Sequence, residues 1–134
     1  MQVVDSSVTI RVISSSDPDE RRRLQDVIAE SPVAIAHVLA ESYATLTRLP
    51  TPFRLTPQRC LNFLSSAFRS EPLTVSASGY LRVLSILAER NVAGGAIYDC
   101  LIAQTAREND AKLVSLDKRA VANYALVGAV HELL

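Results

Sequence analysis

The stretch GGAIYDCLIAQTARENDAKLVSLD, residues 94–117, indicates the fold class of this chain. Gly94 and Gly95 are predicted to form a turn, and the spacing of apolar residues that follows predicts a helix over Ala96–Glu108. The next apolar run, Lys112–Leu116, has the length of a buried strand, and it ends at Asp117. A helix that leads directly into a buried strand is the repeating unit of α/β proteins with parallel sheets.

The same alternation of short strands and longer helices extends over the rest of the chain. Further strands are predicted at Val3–Val4, Val33–Ala36, Leu73–Val75 and Ala129–Leu133, with the apolar entry to a helix as the alternative for Val33–Ala36. Further helices are predicted at Pro18–Ala29, Ile35–Leu49, Pro57–Phe68, Ala77–Glu89 and Arg119–Tyr124, and a polar turn is predicted at Asp5–Ser7. We therefore expect one α/β domain over residues 1–134, in which helices cover both faces of a central, mostly parallel sheet.

The composition is that of a folded globular protein. Of the 134 residues, 49% are hydrophobic and 21% are charged, which provides enough apolar material for one core. No apolar run is long enough to span a membrane, and the first residues lack the pattern of a secretory signal. Cys60 and Cys100 stand outside any metal-binding spacing, so we expect two buried thiols in a reducing cytoplasm.

The charge of the chain is balanced overall but uneven along the sequence. A net charge of zero argues against a generic cationic nucleic-acid binder. Residues 42–90, however, hold only two acidic residues and six arginines, namely Arg48, Arg54, Arg59, Arg69, Arg82 and Arg90. Guanidinium groups suit phosphate oxygens, but the same residues could form an ordinary solvated helix surface.

Four acidic residues stand in segments that otherwise have the composition of a core. Asp5, Glu41 and Asp99 are each the only formally charged residue for at least four positions on either side, and Asp117 ends an apolar strand. Burying a carboxylate without a partner costs several kcal/mol, and few basic residues lie nearby in the sequence. These acids therefore either reach distant arginines or surround a cation.

The predicted topology favours the cation. Ligands of open parallel sheets bind outside the carboxyl ends of the strands, and Asp5 and Asp117 directly follow predicted strands. Glu41 lies early in its predicted helix and Asp99 in the first turn of another, so all four can gather at one sheet edge. Taken singly, each acid could also be a helix cap, a turn residue or an ion-pair member. An all-oxygen ligand set suits magnesium or manganese better than zinc.

At these residues the chain resembles the PIN domain and, more closely, the toxin nucleases of VapBC toxin–antitoxin pairs. The matching stretches are VVDSSV at 3–8, AHVLAESYATLTRLP at 36–50, GGAIYDCLIAQTA at 94–106 and LVSLDKRA at 113–120. The resemblance implies metal ligation through Asp5, Glu41, Asp99 and Asp117. It also implies that Ser7 and Ser115 support these ligands as polar partners. Position 115 is more often threonine in such proteins, and the hydroxyl is kept here.

The resemblance further implies a function. It predicts a magnesium- or manganese-dependent endoribonuclease that cleaves RNA phosphodiester bonds, forms a homodimer and is silenced by a cognate VapB-like antitoxin, with no membrane partner. Arg48 lies two turns after Glu41 on the same predicted helix, where it could hold a substrate phosphate or only complement the end of the helix. His37 shares that helix face, and a lone histidine is more often structural than catalytic.

Three other functions fit parts of the same pattern. A PIN nuclease could act in RNA processing or on structured DNA instead of as a toxin. A non-catalytic binding module could use the acids only in an ion-pair network. A metal-dependent phosphatase also places aspartates at strand ends, but Asp5–Ser7 lacks the second aspartate expected of the haloacid-dehalogenase-like type.

Overall fold

Three short parallel strands and seven helices make up the fold, which a computed structural model describes for residues 1–134. The strands are β1 (Gln2–Val4), β2 (Lys112–Ser115) and β3 (His131–Leu133). The helices are α1 (Ser6–Ser14), α2 (Pro18–Ala29), α3 (Ala36–Leu46), α4 (Pro57–Ala67), α5 (Ala77–Glu89), α6 (Ala96–Glu108) and α7 (Lys118–Val127). None of these helices has the length and apolar composition needed to cross a membrane.

The sheet has the order β1–β2–β3, and both strand pairs are parallel. Because side chains alternate between the two faces of a strand, each face carries its own part of the core. Val3 and Leu113 pack against α5, α6 and α7 on one face. Val4 and Val114 pack against α1, α2 and α4 on the other. Helices therefore cover both faces of a parallel sheet, and the predicted fold class is confirmed.

Local sequence signals set the ends of several helices. Asp17 caps α2 by accepting a hydrogen bond from the backbone of Asp19, and Pro18 occupies the first turn. Thr56 caps α4 in the same way, ahead of another first-turn proline. Gly128 ends α7 with a φ of +80°, a left-handed conformation that a residue with a Cβ atom adopts only at a cost.

Four predicted elements differ in the structure. The polar turn predicted at Asp5–Ser7 is wrong, because Ser6 begins helix α1. The strands predicted at Val33–Ala36 and Leu73–Val75 are reduced to a single parallel bridge between Ile35 and Leu73. The predicted helix Ile35–Leu49 ends already at Leu46. Cys60 and Cys100 are buried free thiols, as predicted.

Candidate active site

The carboxyl ends of β1 and β2 bring the first and last of the four acids to neighbouring positions. Asp5 directly follows β1, and its backbone N–H donates to the carbonyl of Val114 in β2 at 3.1 Å, which extends the strand pairing by one residue. Asp117 lies two residues after the end of β2, directly before the first residue of α7. The two side chains therefore stand at the same edge of the sheet, as the predicted topology requires.

Asp5 is almost completely buried and held by three hydrogen-bond donors. Its Oδ1 accepts hydrogen bonds from the backbone N–H of Ser7, at 3.0 Å, and from the Ser7 hydroxyl. Its Oδ2 accepts a 2.6 Å hydrogen bond from the hydroxyl of Tyr124 on α7. Burial, followed by the charge of Asp5, raises the pKa of Tyr124 far above its ordinary value, so the phenol remains a donor. The position of this carboxylate is thus fixed from two sides.

Glu41 on α3 has one satisfied and one unsatisfied oxygen. Its Oε2 accepts a 2.9 Å hydrogen bond from the hydroxyl of Ser6, the residue after Asp5. Its Oε1 is buried and accepts no hydrogen bond. The Nε2 atom of His37 lies 3.0 Å from Oε1, and the two groups form an ion pair when the imidazole is protonated. A buried carboxylate oxygen without a donor is costly unless a cation is near, so this atom fits a metal ligand.

Asp99 lies in the first turn of α6 and faces the other acids. Burial raises the pKa of Asp99, a hydrogen bond from Asn123 opposes this, and the charges of Asp117 and Asp5 raise it further. The Asn123 amide donates to Oδ2 at 2.9 Å, which leaves Oδ1 without a partner. The pKa of Asp99 is therefore raised partly because like charges share the site, which is the condition that a divalent cation relieves.

Asp117 has a structural as well as an electrostatic role. Its Oδ1 accepts hydrogen bonds from the backbone N–H groups of Arg119 at 2.8 Å and Ala120 at 3.4 Å, so it is the N-cap of α7. Its own backbone N–H donates to the hydroxyl of Ser115 at 2.9 Å. The Ser115 hydroxyl is 3.4 Å from that of Ser7, which also accepts from the backbone of Leu116. The two predicted serines thus link the ends of β1 and β2.

The four acids share one edge but do not form a closed cage. No group of three His, Cys, Asp or Glu side chains is arranged to surround an ion. Each carboxylate accepts a hydrogen bond from a protein donor through one oxygen, or through both in the case of Asp5. Glu41, Asp99 and Asp117 each keep one oxygen free of hydrogen bonds. The donor set, oxygen only, fits a hard divalent cation.

The predicted ion-pair alternative lacks its basic partners. The structure contains four ion pairs, and the only one at this edge joins Glu41 to His37. Asp5, Asp99 and Asp117 pair with no lysine or arginine. The acidic edge is therefore not explained as an internal ion-pair network.

The arginine-rich segment is only partly available to a substrate. Arg48 lies beyond the end of α3, is exposed, and donates from Nε to the carbonyl of Ala44 at 2.9 Å. This contact satisfies a backbone carbonyl at the end of the helix, which is the structural role expected for Arg48. Its contact with a substrate phosphate stays a prediction. Arg54 and Arg82 likewise donate to backbone carbonyls, those of Leu49 and Val127.

Sequence reasoning missed three residues that hold the acids: Ser6, Asn123 and Tyr124. Ser6 adjoins Asp5 and was assigned to a turn, so its contact with Glu41 was hidden by the missing helix α1. Asn123 and Tyr124 lie on one turn of α7, after Asp117. The polar residue before a tyrosine in an apolar helix is a weak signal, because nothing in the sequence shows that this turn faces α6 and β1.

A comparison with known protein families identifies the domain. The model of the PIN domain matches residues 3–126, from β1 to the end of α7. The chain belongs to the PIN-domain family. PIN-domain ribonucleases generally depend on a divalent metal, in agreement with the oxygen donors at the sheet edge.

Two ribonucleases and a solved structure are similar to this chain. This PIN domain is 42% identical over 90 residues to ribonuclease VapC40 of Mycobacterium tuberculosis, an alignment that covers 67% of each chain. It is 39% identical over 92 residues to ribonuclease VapC27 of the same species, covering 69% of this chain and 66% of the relative. Among solved structures, VapBC2 of Rickettsia felis bound to a fragment of its promoter DNA matches with a TM-score of 0.70 at 18% identity. That match covers 99% of this chain and 98% of the other, and it supports the fold.

Proposed function

We propose that this PIN domain is the endoribonuclease toxin of a VapBC pair, acts in the cytoplasm, and cleaves RNA with Mg²⁺ or Mn²⁺ bound by Asp5, Glu41, Asp99 and Asp117. The observation that carries the proposal is that Glu41, Asp99 and Asp117 lie near one another beside Asp5, and each keeps one carboxylate oxygen that accepts no hydrogen bond. The identity to two ribonucleases of the VapC type supplies the substrate class.

The residues of the chain have distinct tasks in this proposal. Asp5 is the fixed point, because Tyr124 and Ser7 hold both of its oxygens and leave lone pairs for a cation. Glu41 contributes Oε1, which accepts no hydrogen bond and lies 3.0 Å from Nε2 of His37. Asp99 and Asp117 are less buried, so their free oxygens can turn towards an ion without disrupting the core.

A divalent cation in this place supplies Lewis-acid stabilisation of the negative charge that develops on the phosphate during cleavage. The chain provides no lysine or arginine for that purpose next to Asp5 or Asp99. The acids alone repel a phosphate, so RNA binding and metal binding are coupled in this proposal. Activity without a divalent cation is not expected.

The same unpaired carboxylates define what an inhibitor needs. A VapB-like antitoxin fits if it brings an arginine or lysine to Asp5, Glu41 or Asp99, because a charge-assisted hydrogen bond satisfies the free oxygens. This chain shares its fold with the VapBC2 structure, and such a partner is consistent with that likeness. The expected homodimer is part of the same proposal.

The proposal is tested by incubating metal-stripped protein with single-stranded RNA, with and without Mg²⁺ or Mn²⁺. We expect cleavage only with the cation, and a loss of about 100-fold or more in the Asp99→Asn variant. Asp110→Asn is the matched control, because Asp110 is exposed, forms no ion pair and has a φ of +50° that asparagine tolerates.

A second readout separates loss of chemistry from loss of folding. A ligand that binds only the folded state raises the melting temperature, so Mn²⁺ should stabilise the wild type and the control but not Asp99→Asn. Cleavage at an equal rate after removal of all divalent metal, or by Asp99→Asn, contradicts the proposal.

A further inference from the structure

Two aromatic rings lie at the rim of the acidic edge, on the neighbouring helices α3 and α6. The His37 ring on α3 and the Tyr98 ring on α6 lie nearly parallel, with an interplanar angle of 7° and a centroid distance of 5.5 Å. This is the geometry of an offset stack. Tyr98 is 54% exposed although it stacks on His37, so it remains accessible to a ligand.

The stacked pair is one wall of a groove of about 490 Å³. The acids Glu41 and Asp99 line the same groove. Its remaining lining consists of small residues, Ala40, Ala44 and Gly95, which leave room beside the rings. The volume is in the range of pockets that hold small planar ligands.

The two aromatic residues of the groove are close in sequence to two of the acids. Tyr98 immediately precedes Asp99, and His37 lies one helical turn before Glu41, with Nε2 at 3.0 Å from Oε1. A group stacked on Tyr98 is thus next to two of the proposed metal ligands. No lysine or arginine lines the groove, so its own side chains offer no positive charge that would hold a phosphate directly.

We propose that the His37–Tyr98 stack is a subsite for one unpaired nucleobase of the RNA, next to the phosphate that is cleaved. The inference rests on the proposed ribonuclease activity and deepens it. Nucleobases are flat and stack on aromatic side chains wherever RNA is single-stranded, and this contact needs no particular base sequence. The phosphate that adjoins such a base lies over Glu41 and Asp99, where the proposal places the cation.

The experiment combines a protein variant with an abasic RNA. A short single-stranded oligoribonucleotide is first cleaved by the wild type to locate the scissile phosphate. Each flanking nucleotide is then replaced in turn by an abasic one, and kcat/KM is measured for the wild type, Tyr98→Ala and Tyr98→Phe. Tyr43→Ala is the matched control, because Tyr43 is 43% exposed on α3 but does not line the groove.

We expect one abasic position to lower kcat/KM of the wild type by about 5- to 100-fold, the range of a lost base–aromatic stack. Tyr98→Ala should lower kcat/KM on intact RNA by a similar factor and become insensitive to that same abasic position. Tyr98→Phe keeps the ring and should stay within about threefold of the wild type, and Tyr43→Ala should be unchanged. Stabilisation by Mn²⁺ should be equal in all four proteins, since no proposed ligand is altered.

Three results overturn the subsite. One is full sensitivity of Tyr98→Ala to every abasic position. A second is a loss of Mn²⁺ stabilisation in Tyr98→Ala that accounts for its lower rate through Asp99. If Tyr98→Ala binds RNA normally and instead weakens an antitoxin complex, the rings serve a protein partner and the proposal is wrong.

Failure of the proposed function has a different signature. In that case the wild type cleaves no RNA at any metal concentration. The subsite is then decided by equilibrium binding of the intact oligonucleotide in Mn²⁺, measured by fluorescence anisotropy. Equal Kd values for the wild type and Tyr98→Ala reject the subsite, and a 5- to 100-fold weaker Kd of the variant supports it.

Discussion

The environment of the Asp99 carboxylate disfavours its charged form when no cation is bound. Its carboxylate is partly buried, faces the charges of Asp117 and Asp5, and receives a single hydrogen bond, from Asn123. The first two features disfavour the charged form, and the third only partly offsets them. The ionised Asp99 side chain therefore lowers the free energy of unfolding of the metal-free protein.

This leads to a prediction about Asp99→Asn in the absence of metal. Because folding raises the pKa of Asp99, the charged form destabilises the fold at every pH above the ordinary pKa of aspartate. The free energy of unfolding of the variant should exceed that of the wild type at pH 7. The difference should shrink as the pH falls through the raised pKa and vanish below the ordinary one. Denaturant titrations between pH 3 and about 8 measure this difference.

The control for this prediction is again Asp110→Asn, whose exposed side chain should give no pH-dependent gain. Saturating Mn²⁺ should reverse the order, since only the wild type keeps the full ligand set. A metal-free Asp99→Asn protein that is less stable than the wild type at pH 7 contradicts the assigned burial and repulsion.

The residues of the site could be predicted from the sequence only as far as charge stands out from an apolar background. Asp5, Glu41 and Asp99 are isolated charges in apolar segments, and Asp117 ends an apolar strand. These positions made the four acids candidates for a site. Tyr124 could not be found in this way, because a tyrosine in an amphipathic helix is ordinary and its partner Asp5 lies 119 positions away. The ligand role of the four acids itself stays a prediction.

At the scale of elements, α5 and α6 approach closely where α5 begins. A Cβ atom at Gly79 would lie 2.0 Å from Oε1 of Glu108 and 2.9 Å from Cγ2 of Val75. Glu108 cannot simply swing aside, because Ser76 donates to it with both its backbone N–H and its hydroxyl, at 2.9 and 2.6 Å. This glycine therefore allows the cap of α5 to be anchored on α6.

Gly79→Ala should consequently destabilise the fold. Overpacking costs about 1–3 kcal/mol, and the better helix propensity of alanine returns up to about 1 kcal/mol, so we expect a net loss of about 1–2 kcal/mol. Gly95→Ala is the control, since a Cβ there meets nothing within 4 Å and its φ is −69°. Chemical denaturation compares the two, and equal stabilities would show that Glu108 yields without cost.

The elements themselves could be predicted where periodicity was long or capping was clear. Helices α2, α4, α5 and α6 have first-turn prolines, caps or long apolar spacing, and their predicted bounds agree closely with the structure. Helix α1 was missed because Asp5–Ser7 has the composition of a turn, which is also the composition of an N-cap. Two full strands were predicted where the structure has only the bridge between Ile35 and Leu73, because short apolar runs are compatible with strands and with helix entries equally.

At the scale of the whole molecule, an RNase whose site lies open is a hazard to the cell that makes it. Glu41, Asp99 and Asp117 are partly or fully exposed at one edge beside the buried Asp5, and no lysine or arginine of this chain pairs with any of the four. Control must then come from outside the chain. A PIN nuclease of RNA processing or of structured DNA has no such need, which makes growth a way to tell these functions apart.

Induced expression of this chain alone should therefore stop bacterial growth, whereas Asp5→Asn should permit it. Asp5→Asn removes a ligand charge but keeps the size of the side chain, so soluble yield and melting temperature verify that the variant folds. Co-expression of a VapB-like protein encoded beside this chain should restore growth and co-purify with it, because its basic side chain satisfies the free oxygens of Glu41 and Asp99. Normal growth with soluble, RNA-cleaving wild-type protein would exclude the toxin role and leave a PIN nuclease of another pathway.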